Sequence, residues 1–386
     1  MGKRSKRGGR KPPSRGPLDV VPALPKADSL HDLPPYSDMR FDEAQLSAFD
    51  AFKEEAADEG VCADELHMGC VVRLDRGYPL VVTERASFRA EHAVGFAKGR
   101  GDAGKMLPTV GDWVAVRIAP GHDMGVIERV LPRRTAFERW RGRNRGERQT
   151  LAANVDIILI VQPLGPDRDM GRVMLDRIAR SLVLANDCGA SSAVILTKAD
   201  RCSADELGRA LADIRHLVGP SVPVVATSSA DGTGLDEVRA QVPAGSIGMI
   251  LGESGAGKST LLNKLLGHES LETGEVRERD DAGRHTTVAR VMVSLPDPCG
   301  VIADAPGLRS LPLVGHERGL ALTFPEIVAA SRSCRFSDCT HTHEPGCAVL
   351  EEVGEGRIEQ VRLDAFSSLA EEMRVSAQSL DPDIKL

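Results

Sequence analysis

The sequence predicts a multidomain α/β protein: a small β-barrel first, then a parallel sheet with helices on both faces, then a small helical domain. Three observations predict it. Short strands separated by Gly and Pro fill residues 67–135, and strands alternate with helices from residue 155. Near the end, three cysteines lie close together at Cys334, Cys339 and Cys347. At 386 residues the chain is long enough for two or three domains.

Composition narrows the class of protein. A hydrophobic share of 41% is enough for real cores, and an aromatic share of 3% means that aliphatic packing dominates them. No apolar run reaches the length of a membrane span, and the N-terminus lacks the apolar core of a signal peptide. We therefore expect a cytoplasmic protein with no membrane partner. In that reduced compartment the eight cysteines need an explanation other than disulfides.

The composition of residues 1–66 predicts a basic, partly disordered N-terminal extension that contains one helix. Residues 3–15 carry seven Lys or Arg and no acid, and Pro-rich sequence continues to residue 35. Such a segment cannot bury enough apolar surface to order itself. It fits an arm on RNA phosphates and a solubilising tail equally well. An amphipathic helix is predicted at 41–59, with Phe41, Leu46, Phe49 and Phe52 as its apolar positions.

The evenly spaced short strands within residues 67–135 predict the barrel. They lie at 69–74, 80–83, 113–118 and 125–130. We favour a five-stranded, OB-like oligonucleotide-binding barrel, although an SH3-like barrel or a plain structural domain would show the same pattern. The connector from Arg133 to Arg148 is strongly basic. Beside a barrel we favour a phosphate-contacting loop there over a solvated linker.

Residues 136–316 carry the alternating pattern. The predicted helices lie at 171–186 and 204–218, and the predicted strands lie at 157–161, 193–196, 222–226, 247–251 and 301–303. This alternation is typical of a parallel sheet covered by helices on both faces.

The sequence GESGAGKS at residues 252–259 fits the phosphate-loop pattern G-x-x-x-x-G-K-[ST] and lies between a predicted strand and a predicted helix. Its glycines let backbone N–H groups turn toward one point at the positive end of the helix, where phosphate binds. Lys258 is expected to reach the β- and γ-phosphates, and Ser259 to ligate Mg²⁺. The predicted nucleotide contacts in this stretch are Gly252, Glu253, Ser254, Gly255, Ala256, Gly257, Lys258, Ser259 and Thr260.

The sequence TKAD at residues 197–200 follows a predicted strand at its carboxyl end, where ligands bind in such sheets. It resembles the guanine motif Asn-Lys-x-Asp. The Asp200 carboxylate can accept from guanine N1–H and the 2-amino group, and would reject adenine. Lys198 would lay its stem along the base. Thr197 replaces the usual Asn, so we expect weaker tethering of the neighbouring loops.

Other strand ends complete the nucleotide chemistry. Ser228 and Ser229 follow the third strand and are placed to offer a backbone N–H to guanine O6. DAPG at residues 304–307 matches D-x-x-G, in which Asp304 holds Mg²⁺ through water and the Gly307 N–H senses the γ-phosphate. Within GRHTT at residues 283–287, either Thr286 or Thr287 would ligate Mg²⁺ while the γ-phosphate is present.

The motif order is inverted, because the guanine motif precedes the phosphate loop by 52 residues, from Asp200 to Gly252. A circular permutation reorders strands in sequence without moving their ends in space. Residues 136–316 therefore predict a circularly permuted P-loop GTPase domain that binds GTP and GDP. The segment after the switch regions then leads directly into the Cys/His domain, so nucleotide state could be transmitted to it.

Residues 317–386 predict a small helical zinc-binding domain. Three thiolates and an imidazole lie within fourteen residues, which is enough for one closed tetrahedral, structural zinc site per chain. The predicted ligands are Cys334, Cys339, His341 and Cys347, with His343 as the second-ranked imidazole.

Together these motifs resemble the RsgA (YjeQ) family of small-ribosomal-subunit-dependent GTPases, over about residues 67–365. The residues that carry the resemblance are TKAD at 197–200, GESGAGKS at 252–259, GRHTT at 283–287, DAPG at 304–307 and CRFSDCTH at 334–341. The resemblance implies an OB-like barrel, a permuted GTPase and a zinc-binding helical domain. It also implies GTP hydrolysis coupled to late maturation of the small ribosomal subunit, with its rRNA as partner. The first 66 residues lie outside it.

Many GTPases place a water-orienting Gln just after D-x-x-G, and here that position is Leu308. His285 is our hypothesis for the water-positioning residue, and the resemblance points the same way; a surface-loop histidine is the alternative. We expect a monomer whose turnover is low without the ribosome. One alternative is a GTP-dependent RNA-binding switch with incidental hydrolysis, favoured by Leu308 and Thr197. A metabolic kinase or ATPase is disfavoured by Asp200.

Overall fold

The computed structural model describes residues 32–74, 78–93, 106–122, 124–141, 147–165, 170–269, 290–304, 313 and 315–380. The strands in these ranges are β1 (Leu66–Leu74), β2 (Leu80–Thr83), β3 (Ser87–His92), β4 (Trp113–Arg117), β5 (Gly125–Val130), β6 (Ala136–Arg141), β7 (Glu147–Ala153), β8 (Ile157–Pro163), β9 (Ser191–Thr197), β10 (Val224–Ala226), β11 (Ile247–Leu251), β12 (Arg290–Ser294) and β13 (Val301–Asp304). The helices are α1 (Glu43–Asp58), α2 (Met170–Cys188), α3 (Ala204–Val218), α4 (Leu235–Ala240), α5 (Lys258–Leu266), α6 (Glu317–Thr323), α7 (Pro325–Ser331), α8 (Ala348–Gly354) and α9 (Gln360–Leu380). Within the described ranges, none of these helices has the length and apolar character needed to cross a bilayer.

Strands β1 to β5 close into a barrel with the OB-like order. β1 pairs with both β2 and β4, β2 with β3, β3 in parallel with β5, and β5 with β4. Its interior is aliphatic and includes Val71, Val81, Val114 and Ile127. The predicted barrel is confirmed. Sequence reasoning missed β3, because Ala90 is the one fully buried side chain in a strand that otherwise reads as polar.

The basic connector is not a linker. It forms the antiparallel hairpin β6–β7, whose Phe137 and Leu151 are buried. Arg133, which we expected to belong to a phosphate-contacting loop, is instead paired with the buried carboxylate of Asp112. Its Nε and Nη2 donate to the two carboxylate oxygens at 2.7 Å each. A buried carboxylate needs such a partner, so this arginine has a structural role.

The second half of the sheet has the order β10-β9-β8-β11-β13-β12. All neighbours pair in parallel except β12, which is antiparallel to β13. Alternate residues of β8 face opposite sides: Ile158 and Ile160 share a cluster with residues of α2 and α3, whereas Leu159 and Val161 share one with residues of α4 and α5. The predicted sheet with helices on both faces is confirmed.

Strand β12, which sequence reasoning missed, connects the two halves. Arg73 of β1 pairs with Val291 of β12, so the barrel and the parallel sheet form one 11-stranded sheet.

The C-terminal helices pack directly on the sheet's own helices. Gly319 of α6 allows this contact, because a Cβ there would lie 2.3 Å from the Val183 carbonyl oxygen of α2. Arg362 of α9 donates to the Leu217 carbonyl at the end of α3 (2.5 Å) and to the Thr323 carbonyl at the end of α6 (2.7 Å). The helical C-terminal region predicted from sequence is confirmed over its described residues.

The N-terminal extension is packed from residue 32 onward, whereas residues 1–31 lie outside the described ranges. The predicted helix is confirmed as α1. Trp113 of the barrel donates its indole N–H to the Arg40 carbonyl at 3.2 Å, and the Phe41 ring lies edge-on to it. The Ser294 N–H of β12 donates to the Asp32 carbonyl at 2.8 Å. This part of the extension therefore contacts both halves of the sheet.

One buried side chain joins the extension, the barrel and the hairpin. Asn154 has a left-handed backbone (φ 56). Its amide donates to the Gly111 carbonyl at 2.8 Å and accepts from the Arg134 N–H at 2.9 Å and from Gln45 at 3.1 Å.

We expect Asn154→Ala to lower the free energy of unfolding by about 2–4 kcal/mol, because three hydrogen bonds, two of them buried, lose their partner. Chemical denaturation followed by circular dichroism measures it. Asn154→Gly is the matched control, since it tolerates the positive φ and isolates the hydrogen bonds from backbone strain. Unchanged unfolding of both variants would contradict the assignment.

Candidate nucleotide site and metal centre

Parallel pairing places the predicted nucleotide motifs at one edge of the sheet. β8 pairs on one side with β9 (Pro163 with Thr197) and on the other with β11 (Ile160 with Leu251). The TKAD segment follows β9, the phosphate loop follows β11, and Asp304 ends β13. All three strand ends are carboxyl ends, the edge where ligands bind in such sheets.

The phosphate loop has the backbone that its sequence predicts. Gly255 (φ 80) and Gly257 (φ 86) are left-handed, a conformation that favours glycine. A Cβ at Gly252 would lie 2.4 Å from the Val161 carbonyl oxygen. The Lys258 ammonium bridges the loop, donating to the Gly252 carbonyl at 2.7 Å and the Glu253 carbonyl at 2.6 Å. α5 begins at Lys258, so its positive end faces the loop.

The guanine segment is hydrogen-bonded to this loop. The Thr197 hydroxyl donates to the Ala256 carbonyl at 2.7 Å, and the Lys198 ammonium donates to the Gly255 carbonyl at 2.9 Å. We expected Thr197 to weaken this tether, but its hydroxyl supplies the donor. The side chain is 2% exposed, so water does not compete for the hydroxyl.

Asp200 is held by Ser228, a residue for which the sequence analysis predicted a different role, that of a backbone donor to guanine O6. The Ser228 hydroxyl donates to its Oδ1 at 2.8 Å and orients the carboxylate. The Ser228 N–H donates to the Thr233 carbonyl at 3.0 Å. Of the two predicted serines, therefore, the Ser229 N–H is the candidate donor to guanine O6, because among the described residues it has no protein acceptor.

The magnesium side of the site is described in part. Ser259 lies in the first turn of α5, and Asp304 pairs with Val291 at the end of β13. The remaining predicted residues fall outside the described ranges: His285, Thr286, Thr287, Gly307 and Leu308.

The predicted metal ligands come together in the C-terminal region. The ligand atoms of Cys334, Cys339, His341 and Cys347 all lie within 4.8 Å of one another. The sulfurs of Cys334 and Cys347 are 3.9 Å apart, and His341 Nδ1 is 3.4 Å from the Cys347 sulfur and 3.6 Å from the Cys334 sulfur. Tetrahedral zinc with bonds of about 2.3 Å separates its sulfur ligands by about 3.8 Å.

The chemistry of this cluster also fits zinc. Three soft thiolates and one imidazole form a closed set with no position left for substrate. Burial lowers the pKa of His341, which favours the neutral imidazole that binds metal. The second-ranked His343 lies apart, with its Nδ1 2.8 Å from the Thr342 hydroxyl.

Known proteins are similar to this chain in sequence and in fold. A family model described as RsgA GTPase matches residues 130–314. The small ribosomal subunit biogenesis GTPase RsgA of Streptomyces avermitilis is 41% identical over 347 residues, which cover 90% of this chain and 87% of that protein. The chain belongs to the RsgA family of GTPases. The RsgA protein of Methanosarcina acetivorans is 38% identical over 278 residues, 72% of this chain and 73% of that protein.

Solved structures support the permuted architecture of this RsgA-family chain. YjeQ from Thermotoga maritima superposes with a TM-score of 0.59 at 25% identity, over 80% of this chain and 99% of that one. YloQ, described as a circularly permuted GTPase, gives 0.57 at 20% identity over 83% and 97%. The resemblance inferred from the motifs is confirmed, and so are the enzyme class, a hydrolase acting on GTP, and the permuted fold.

We expect Thr197→Val to weaken binding of GTP and GDP about 3- to 10-fold, because it removes the hydrogen bond to Ala256 at nearly constant volume. Titration of a fluorescent GDP analogue measures the change. Thr197→Ser is the matched control and should bind like the unchanged protein. Equal affinities for the valine and serine variants would show that the hydroxyl does not tether the loop.

For the metal centre, we expect one zinc per chain in the purified protein and substantial loss of zinc on His341→Ala. Plasma mass spectrometry of the dialysed protein gives the metal content. His343→Ala is the control and should keep its zinc. The reverse pattern, with zinc kept by His341→Ala and lost by His343→Ala, would exchange the two assignments.

Proposed function

We propose that this chain hydrolyses GTP to GDP and phosphate, coupled to late maturation of the small ribosomal subunit through contact with its rRNA. The observation that carries the GTP part is the pair of hydrogen bonds from Thr197 and Lys198 to the phosphate loop. They support a guanine-recognising role for Asp200, which follows Lys198 by two residues. The ribosomal part is supported by the name of the relatives, small ribosomal subunit biogenesis GTPase.

In this proposal Asp200 and the Ser229 N–H recognise guanine, and Lys258 exchanges its loop carbonyls for phosphate oxygens. Ser259 and Asp304 hold Mg²⁺, joined by Thr286 or Thr287 while the γ-phosphate is present. The magnesium ion that these residues would hold would supply positive charge next to the phosphates. Structural zinc on the four ligands holds the C-terminal helices together, and His285 positions the attacking water.

The surface that meets rRNA is proposed to include the barrel and the hairpin β6–β7. Arg139 lies in this hairpin, and its sequence carries further arginines up to Arg148. With a net charge of -7 over the chain, attraction to phosphate must be local to such basic segments. Cytoplasmic location and a monomeric state remain predictions.

Turnover with and without ribosomal subunits tests the proposal. We expect slow GTP hydrolysis by the protein alone and faster hydrolysis with added small subunits, because contact preorganises the catalytic groups. Large subunits are the control. Equal turnover in all three conditions would favour a GTP-dependent RNA-binding switch with incidental hydrolysis.

His285→Ala should lose about 100-fold or more of the stimulated rate, the range typical of a group that orients the reacting water. It should bind a non-hydrolysable GTP analogue normally. His343→Ala is the matched control. Full stimulated turnover in the His285 variant would remove it from the catalytic role.

A further inference from the structure

Glu253 places a carboxylate inside the phosphate loop, one residue after Gly252. A negative charge at this position opposes binding of a triphosphate and attracts the loop lysine. Glu253 is also the residue whose backbone carbonyl accepts from the Lys258 ammonium at 2.6 Å. A carboxylate free to turn inward would compete with phosphate for Lys258.

A neighbouring helix supplies the counter-charge. Arg177 of α2 places Nη2 2.9 Å from Glu253 Oε2, with side chains 35% and 52% exposed, respectively. The helix that carries Arg177 is packed in the core, because its Met174 and Ile178 are buried in a cluster with residues of the sheet. The guanidinium is therefore presented from a packed element rather than from a loop.

We propose that Arg177 is a positioning residue for nucleotide binding. It acts through Glu253, holding the carboxylate away from Lys258 and from the phosphates and neutralising its charge. The inference rests on the proposed GTP binding at this loop. Since GTP brings more negative charge than GDP, loss of Arg177 weakens GTP binding more than GDP binding, and the difference shrinks as salt rises.

The test is Arg177→Gln in the full chain, titrated with fluorescent forms of GDP and of a non-hydrolysable GTP analogue at low salt. We expect affinity for the GTP analogue to fall about 3- to 10-fold and affinity for GDP to fall by less, in keeping with a partly exposed pair. Adding Glu253→Gln to this variant should restore affinity for the GTP analogue to within about twofold of the unchanged protein, because the uncompensated charge is gone.

Arg180→Gln is the matched control. Arg180 lies one turn further along α2 and pairs with Glu372 of α9, away from the loop. It should leave both affinities unchanged. Arg177→Lys keeps a cation and should retain most of the affinity for the GTP analogue.

Two results would overturn the inference. One is an Arg177→Gln protein that binds the GTP analogue normally. The other is equal loss for GDP and the GTP analogue that Glu253→Gln does not restore, which marks a purely structural role for the helix. Failure of the proposed function is distinguishable, because the unchanged protein would then bind neither guanine nucleotide.

Discussion

The nucleotide site depends on the position of one strand, β8. It is buried on both faces and pairs in parallel with β9 on one side and β11 on the other. These pairings bring the carboxyl ends of β9 and β11 to the same edge, so the segments that follow them meet. Chain order does not enter this requirement, which is why a permuted sequence brings the same strand ends together.

In this arrangement three parts of the structure contact the phosphate loop: β8, the TKAD segment and α2. The Val161 carbonyl of β8 lies close to Gly252, and the TKAD segment donates hydrogen bonds to the Gly255 and Ala256 carbonyls. Arg177 of α2 forms an ion pair with Glu253. A loop that must present its N–H groups to phosphate gains from such restraint, because fewer backbone conformations remain to be lost on binding. The segment proposed to contact the base and the loop proposed to contact the phosphates are thereby hydrogen-bonded to each other.

Sequence could predict the features that have a local pattern. The bounds predicted for the apolar run of β11 and for the amphipathic α3 agree with the structure, since continuous apolar character and helical spacing are strong signals. The four candidate zinc ligands followed from their spacing in the sequence. β3 was missed because only one of its residues, Ala90, is buried, and the arginine-rich connector was not recognised as a hairpin. The Thr197–Ala256 hydrogen bond joins residues 59 positions apart, and the Arg177–Glu253 pair joins residues 76 positions apart. No local sequence pattern predicts contacts over such separations.

The permutation also gives α2 a second role. The chain leaves β13 through D-x-x-G and enters α6, which packs on α2. There the Asp187 carboxylate of α2 accepts from the Gly319 N–H at 3.1 Å and contacts His316 Nδ1 at 2.8 Å. Arg180 of α2 pairs with Glu372 of α9. One helix thus contacts the phosphate loop through Arg177, α6 through Asp187 and α9 through Arg180. These contacts join the phosphate loop, α6 and α9 to one packed helix of the sheet.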